Sequence, residues 1–248
     1  MKLSRVWWTA VALGSLILAG MVAVPAGSAP PMNWSVYYWG QYNLGGPIPA
    51  GTVAGGTATF GFSPGYVALL STTNPGLTGD LAGQTLYASF AVTGLSDGAH
   101  FEYSGESSSS VSSCSPEPMV RFYFSSSAMS GPSYPAPGPL PTSGNPSFGL
   151  TPSAYYSHSW WSTGNNAVAL CFNAGGLSLK VNLGDPSQWS DWNGQNAAES
   201  PALGASFANA VSHVSSVGLS FGGGSFYENG VTTTDGSATF ILNSFTAE

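Results

Sequence analysis

Thr85-Leu86-Tyr87-Ala88-Ser89-Phe90-Ala91-Val92 places an apolar side chain at every second position, Leu86, Ala88, Phe90 and Val92. A period of two is the pattern of a β-strand with one face in a core and the other in water. Leu177-Ser178-Leu179-Lys180-Val181-Asn182-Leu183 repeats it. Outward from these two segments, further runs rich in aromatic and β-branched residues are separated by Gly, Pro, Asn and Asp. They are Ala58 to Phe62, Tyr66 to Ser71, His100 to Ser104, Val120 to Ser125, Ala167 to Asn173, Val217 to Phe221, Ser225 to Asn229 and Ser237 to Thr246, and the first pattern continues to Thr93.

Only one segment has helical spacing. Leu203, Phe207, Ala210, Val211 and Val214 recur at intervals of three and four, which predicts a short surface helix over 203–214. A parallel α/β fold needs a helix between strands, and those helices are absent from the pattern. The chain is therefore expected to be all-β, an antiparallel two-sheet β-sandwich of the jelly-roll type with one short helix. The stretch from Ser125 to Pro152 cannot hold a regular ladder, because it contains Pro132, Pro135, Pro137, Pro139, Pro141, Pro146 and Pro152. It is expected to be a long crossover lying on the sandwich. Glu106 to Ser113 reads as a second loop, leading into Cys114.

Lys2 and Arg5, the apolar run Val6 to Val24 and the small residues after it have the charged, apolar and small order of a secretory signal. Cleavage after Ala26 would leave 27–248 as a single sandwich domain, and an uncleaved anchor is the rival reading. Export makes the protein secreted, extracellular or held at a cell surface, with no membrane span after signal removal. In an oxidising compartment the two cysteines, Cys114 and Cys171, are expected to form a disulfide, with a pair of buried thiols as the alternative.

Removing Lys2 and Arg5 leaves Arg121 and Lys180 against 11 acidic residues, a net charge of −9. Such a chain has no basic patch for a phosphate backbone, which excludes nucleic acid as a partner. Only 6% of all residues are charged, so the surface must be built from Ser, Thr, Asn, Gln and Gly.

Six of the 8 tryptophans lie beyond the signal: Trp34, Trp39, Trp160, Trp161, Trp189 and Trp192. Sugar rings present flat C–H faces that stack on exposed indoles, while Asp, Asn and Gln reach the hydroxyls. On that chemistry Trp160, Trp161, Gln188, Trp189, Asp191, Trp192 and Asn193 are the candidate ligand-binding residues; the competing account is that these rings plug the ends of the sandwich, and adjacent Trp160 and Trp161 are expected on opposite faces of a strand, with at least one of them buried. Asp185, Asp191 and Asn193 could offer oxygens to a structural calcium ion, although no calcium-loop consensus is present and turn capping explains them as well. No other cofactor is expected.

Catalysis has weaker support. Gly61-Phe62-Ser63-Pro64-Gly65 and Gly218-Leu219-Ser220-Phe221-Gly222 match a serine-nucleophile spacing, but that motif needs a strand, a sharp turn and a helix, and Ser220 falls inside a predicted strand. His100, His158 and His213 have no metal-ligand spacing. No catalytic residue is assigned.

The C-terminal third runs helix, Val217-Gly218-Leu219-Ser220-Phe221, a glycine turn, a short strand and the closing strand from Ser237. This order resembles the ending of galactose-binding-like jelly rolls, the fold of many carbohydrate-binding modules. Ser159-Trp160-Trp161, Trp189-Ser190-Asp191-Trp192-Asn193-Gly194 and Gly218 to Gly224 also resemble segments of a set of secreted bacterial proteins. The resemblance implies a fold and, by analogy, a non-catalytic glycan- or polysaccharide-binding role. The alternative is a self-assembling extracellular structural, filament or envelope protein whose partners are copies of itself. Its charge-poor exterior and the lack of an accompanying catalytic domain favour that second reading.

Overall fold

A computed structural model describes residues 33–39, 48–53, 57–63, 65–104, 118–128, 159–171, 174–191, 194–223 and 229–248, all within one compact unit, Pro31–Glu248. The signal over 1–26, the Ser/Pro/Gly stretch from 129 onward, the loop holding Cys114, and Trp192 and Asn193 lie outside the described residues.

Five strands form the smaller sheet, in the spatial order β11 (Ala174–Asn182), β6 (Thr85–Thr93), β15 (Thr239–Ala247), β4 (Thr57–Gly61) and β3 (Gly51–Val53), every pair antiparallel. The larger sheet runs β12 (Trp189–Ser190), β9 (Ser159–Ser162), β8 (Met119–Ser126), β13 (Val214–Gly222), β5 (Tyr66–Thr72), β1 (Trp34–Trp39) and β2 (Ile48–Pro49). Beside this path β10 (Ala167–Ala169) pairs with β8, and β14 (Val231–Thr233) joins β5 to β7 (Phe101–Tyr103). The longer strands β1, β4, β5, β6, β8, β11, β13 and β15 alternate between the sheets, so each successive one lies in the opposite layer. This is an all-β, two-sheet antiparallel sandwich with a winding of the jelly-roll kind. Along one side β2 and β3 are separated only by Ala50, whose N–H donates to the Trp34 carbonyl at 2.9 Å, so the chain itself closes the gap between the sheets.

The period of two in β6 is realised as read: Leu86, Ala88, Phe90 and Val92 are buried, while the residues between them are not. They meet Phe60, Phe240, Leu242 and Phe245 of the same sheet and Phe122, Leu219 and Phe221 of the other in one cluster. Rings cross the core edge-to-face, as in Trp34 with Phe245 at 5.2 Å and Phe60 with Phe221 at 5.5 Å. Each such ring contributes about 1.5–3 kcal/mol by leaving water. β5, β8 and β13 are buried on both faces. In β5 the sequence accordingly reads as a nearly continuous apolar run, Val67-Ala68-Leu69-Leu70, whereas β13 fills its buried positions partly with Gly218 and Ser220.

The helix, α1 (Pro201–Val211), begins where Ser200 accepts from the Leu203 N–H at 3.1 Å and Pro201 occupies the first turn. It buries Leu203, Phe207, Ala210 and Val211. Val214, read from its spacing as helical, is instead the first residue of β13 and pairs with Ser126. The helical period cannot distinguish an apolar residue on the last turn from one that opens the next strand. The run Ala167 to Asn173 is also shorter than its composition suggests: β10 ends at Ala169, and Cys171 lies beyond it.

Candidate functional site

The tryptophans expected to face a ligand are inside the protein. Trp160 and Trp189 are 0% exposed and Trp161 is 1% exposed. β9 pairs with β8 so that Phe124 faces Trp160 and Tyr123 faces Trp161, which sends the adjacent indoles to opposite sides of the sheet. On the core side Trp160 and Trp189 close on Phe207 of α1 at 5.1 and 5.9 Å, and Phe124 meets Trp189 edge-on at 5.0 Å. On the other side Trp161 packs beside Tyr123 at 5.6 Å. The exposed-indole expectation is corrected for these three: the helix needs a large apolar seat, and Trp160 and Trp189 supply it.

Gln188 and Trp189 have a second task. The Asn182 N–H donates to Gln188 Oε1 at 2.8 Å, and Trp189 Nε1 donates to the Asn182 carbonyl at 3.0 Å. β11 is an edge strand, and these two side chains satisfy the backbone at its end, where an open edge would invite another strand. The segment leading from β11 to α1 is knitted by its own polar groups. Asp185 accepts from Ser187 N and Oγ through one oxygen and from Gln188 Nε2 through the other. These hydrogen bonds, that from the Ser187 side chain first, hold its carboxyl below the usual range. Asp191 is fully buried, and its Oδ1 accepts from the Gln195 N–H at 2.9 Å. Asn196 donates to the Ser187 carbonyl and accepts from the Ala198 N–H. Of the oxygens considered for calcium, both of Asp185 and Oδ1 of Asp191 are engaged in turns while Asn193 lies outside the described residues, and the described residues hold no group of three or more His, Cys, Asp or Glu side chains suited to a metal.

Other chemistry-bearing residues are scattered. His100 and Glu102 pair at 3.4 Å beside β7. Ser220 is buried within β13, which removes the turn that a nucleophile motif requires. Cys171 is not a free thiol. No helix among the described residues is long and apolar enough to cross a membrane.

What the fold does present is the outer face of the five-stranded sheet. Strand register lays its side chains in rows: Asn182, Thr85 and Glu248; Lys180, Tyr87 and Thr246; Ser178, Ser89 and Ser244; then Ala91, Ile241 and Thr59; then Thr93, Thr239 and Gly61. Hydroxyls predominate, and Lys180 and Glu248 are the sole charged side chains in these rows. Among the other described acids, Asp80, Asp185 and Asp235 sit in turns and accept from the N–H groups of Ala82, Ser187 and Ser237, and Glu102 stands on β7 in the other sheet. With one lysine and one glutamate side chain, these described rows are close to neutral. The signal for this face was present in the wet positions of the same two alternating segments that define the fold, but no single residue there carries a recognisable motif.

No family model, curated relative or solved structure matches the chain.

Proposed function

We propose that this protein is an exported structural component that associates with copies of itself through the outer face of the five-stranded sheet, with the Cys114–Cys171 disulfide as an internal staple. The observation that carries this reading is the distribution of polarity. A sheet face spanning β11, β6, β15 and β4 bears rows of Ser, Thr, Ala and Tyr with one lysine and one glutamate, although the mature chain would carry a net charge of −9. Like-charge repulsion between copies is weakest where no charges stand, and shallow hydroxyl-bearing side chains permit close approach of two sheets. Burial of Trp160, Trp161 and Trp189 withdraws three of the four indoles offered for a sugar ligand, and the fourth, Trp192, lies outside the described residues.

A second reading is kept because Tyr87 stands half-exposed in the middle of that face, among Ser89, Thr246 and Lys180. An aromatic ring ringed by hydroxyls is also the chemistry of a glycan contact, which would make the same face a carbohydrate-binding one.

Sedimentation of the exported protein over a range of concentrations, alongside a pull-down on insoluble polysaccharides, separates the two. Rising mass without retention on polysaccharide supports self-association; retention quenched by Tyr87→Ala, with a constant monomer mass, supports the glycan reading. For the staple, alkylation of Cys114 and Cys171 only after reduction is the expected result, and alkylation of the untreated folded protein argues for free thiols.

A further inference from the structure

We infer that two copies meet face to face about a two-fold axis crossing β6 between Thr85 and Tyr87, with Lys180 of each copy opposite Glu248 of the other. The inference rests on the self-association reading and specifies its geometry. Lys180 stands opposite Tyr87 on one side of β6, and Thr246 stands opposite Tyr87 on the other. One row along, Asn182 stands opposite Thr85, which exchanges both backbone hydrogen bonds with Glu248, at 2.6 and 3.0 Å. Lys180 and Glu248 therefore lie on strands flanking β6 and one row apart, roughly 12 Å from each other on strand spacings of about 4.8 Å and two-residue steps of about 6.8 Å. The midpoint between them falls on β6 between Thr85 and Tyr87.

In a two-fold face-to-face contact the in-plane axis maps one point of the face onto its mirror position on the partner. The only axis that places the cation of one copy over the anion of the other is the perpendicular bisector of the line joining Lys180 and Glu248. It pairs both charges of both copies at once. Any register that sets Lys180 against Lys180, or Glu248 against Glu248, brings like charges together in a contact that otherwise offers no charged alternative, and that cost selects the register.

Side-chain placement agrees with this. Lys180 and Glu248 are exposed, and the Lys180 ammonium lies over the Tyr87 ring at 5.2 Å from its centroid, leaning toward the axis. Glu248 is held by the Thr246 hydroxyl at 3.3 Å on the same side. Tyr87, next to the axis, would meet Tyr87 of the second copy.

A charge-swap cycle read by sedimentation tests it, using the protein as exported with Lys180→Glu, Glu248→Lys and the double variant, each checked for an unchanged far-ultraviolet spectrum. Each single swap sets like charges against each other and is expected to weaken association about tenfold or more, and the double swap is expected to restore it to within about threefold. Association that ignores the single swaps, or that the double swap fails to restore, overturns this register while leaving self-association standing. A constant monomer mass for the unaltered protein overturns both.

Discussion

Gly218 and Ser220 sit two residues apart on β13 and respond in opposite ways to the same substitution. A Cβ at Gly218 would overlap the carbonyl oxygen of Leu70 on the neighbouring strand, a backbone atom that cannot swing aside. Gly218→Ala is expected to cost about 3 kcal/mol or more, or to prevent folding. Ser220 is fully buried and its hydroxyl has no hydrogen-bond partner. Ser220→Ala removes an unsatisfied polar group of nearly the same size, so its urea midpoint should match or exceed that of the parent. A marked loss on Ser220→Ala would show that the hydroxyl is satisfied in solution.

Asp235 contributes to the acid limb of stability, as does Asp185, whose carboxyl is also lowered. Hydrogen bonds from the Ser237 and Ser96 side chains lower the Asp235 carboxyl to about 2, from 3.8. Its folded value lies below its unfolded one, so its contribution is complete above pH 3.8 and is lost as pH falls from there toward 2. Asp235→Asn is expected to flatten that part of a stability–pH curve and to leave the curve above pH 5 parallel to the parent. An unchanged acid limb in the variant would place the titration elsewhere.

Among the elements, the segment from β11 to α1 separates two tryptophans that the sequence makes look alike. Trp189 Nε1 donates to the Asn182 carbonyl at the end of an edge strand, whereas Trp160 Nε1 is buried without a partner. Replacing either with Phe loses ring volume. Only Trp189→Phe also removes a hydrogen bond, leaving the Asn182 carbonyl with the Asp185 N–H at 3.3 Å as its acceptor contact, so it should cost about 1 kcal/mol more than Trp160→Phe in denaturant unfolding. Equal costs would mean that water takes over the carbonyl at no expense.

The same elements show where sequence reading succeeds. β6 and β11 alternate because one face meets the core and the other meets solvent, and that asymmetry is written residue by residue from Leu86 to Val92. The strand Ser159–Ser162 was legible only as an aromatic cluster, since Trp160 and Trp161 are buried on opposite faces and leave no wet position to mark the period. β1 was missed for a related reason: a shift in register between Tyr37 and Tyr38 breaks its alternation. Whether an indole is a platform or a plug depends on what packs over it, here Phe207 from a helix far along the chain, and local composition does not contain that contact.

At the scale of the whole molecule, the described rows of the five-stranded face carry only one lysine and one glutamate side chain and are nearly neutral. Placing like charges at its centre, as in the double variant Ser89→Asp and Ser244→Asp, is expected to abolish association while leaving the folded spectrum unchanged. The glycan reading predicts instead that the unaltered protein stays monomeric and loses polysaccharide retention with Tyr87→Ala.

The most direct test of association through this face is hydroxyl-radical labelling of Tyr87 as protein concentration rises, read by mass spectrometry with sedimentation in parallel. Labelling of Tyr87 that falls as the measured mass rises, with exposed residues elsewhere labelled at a constant rate, is the predicted result. Constant labelling of Tyr87 together with a rising mass would move the contact to another surface, and a constant monomer mass would contradict self-association itself.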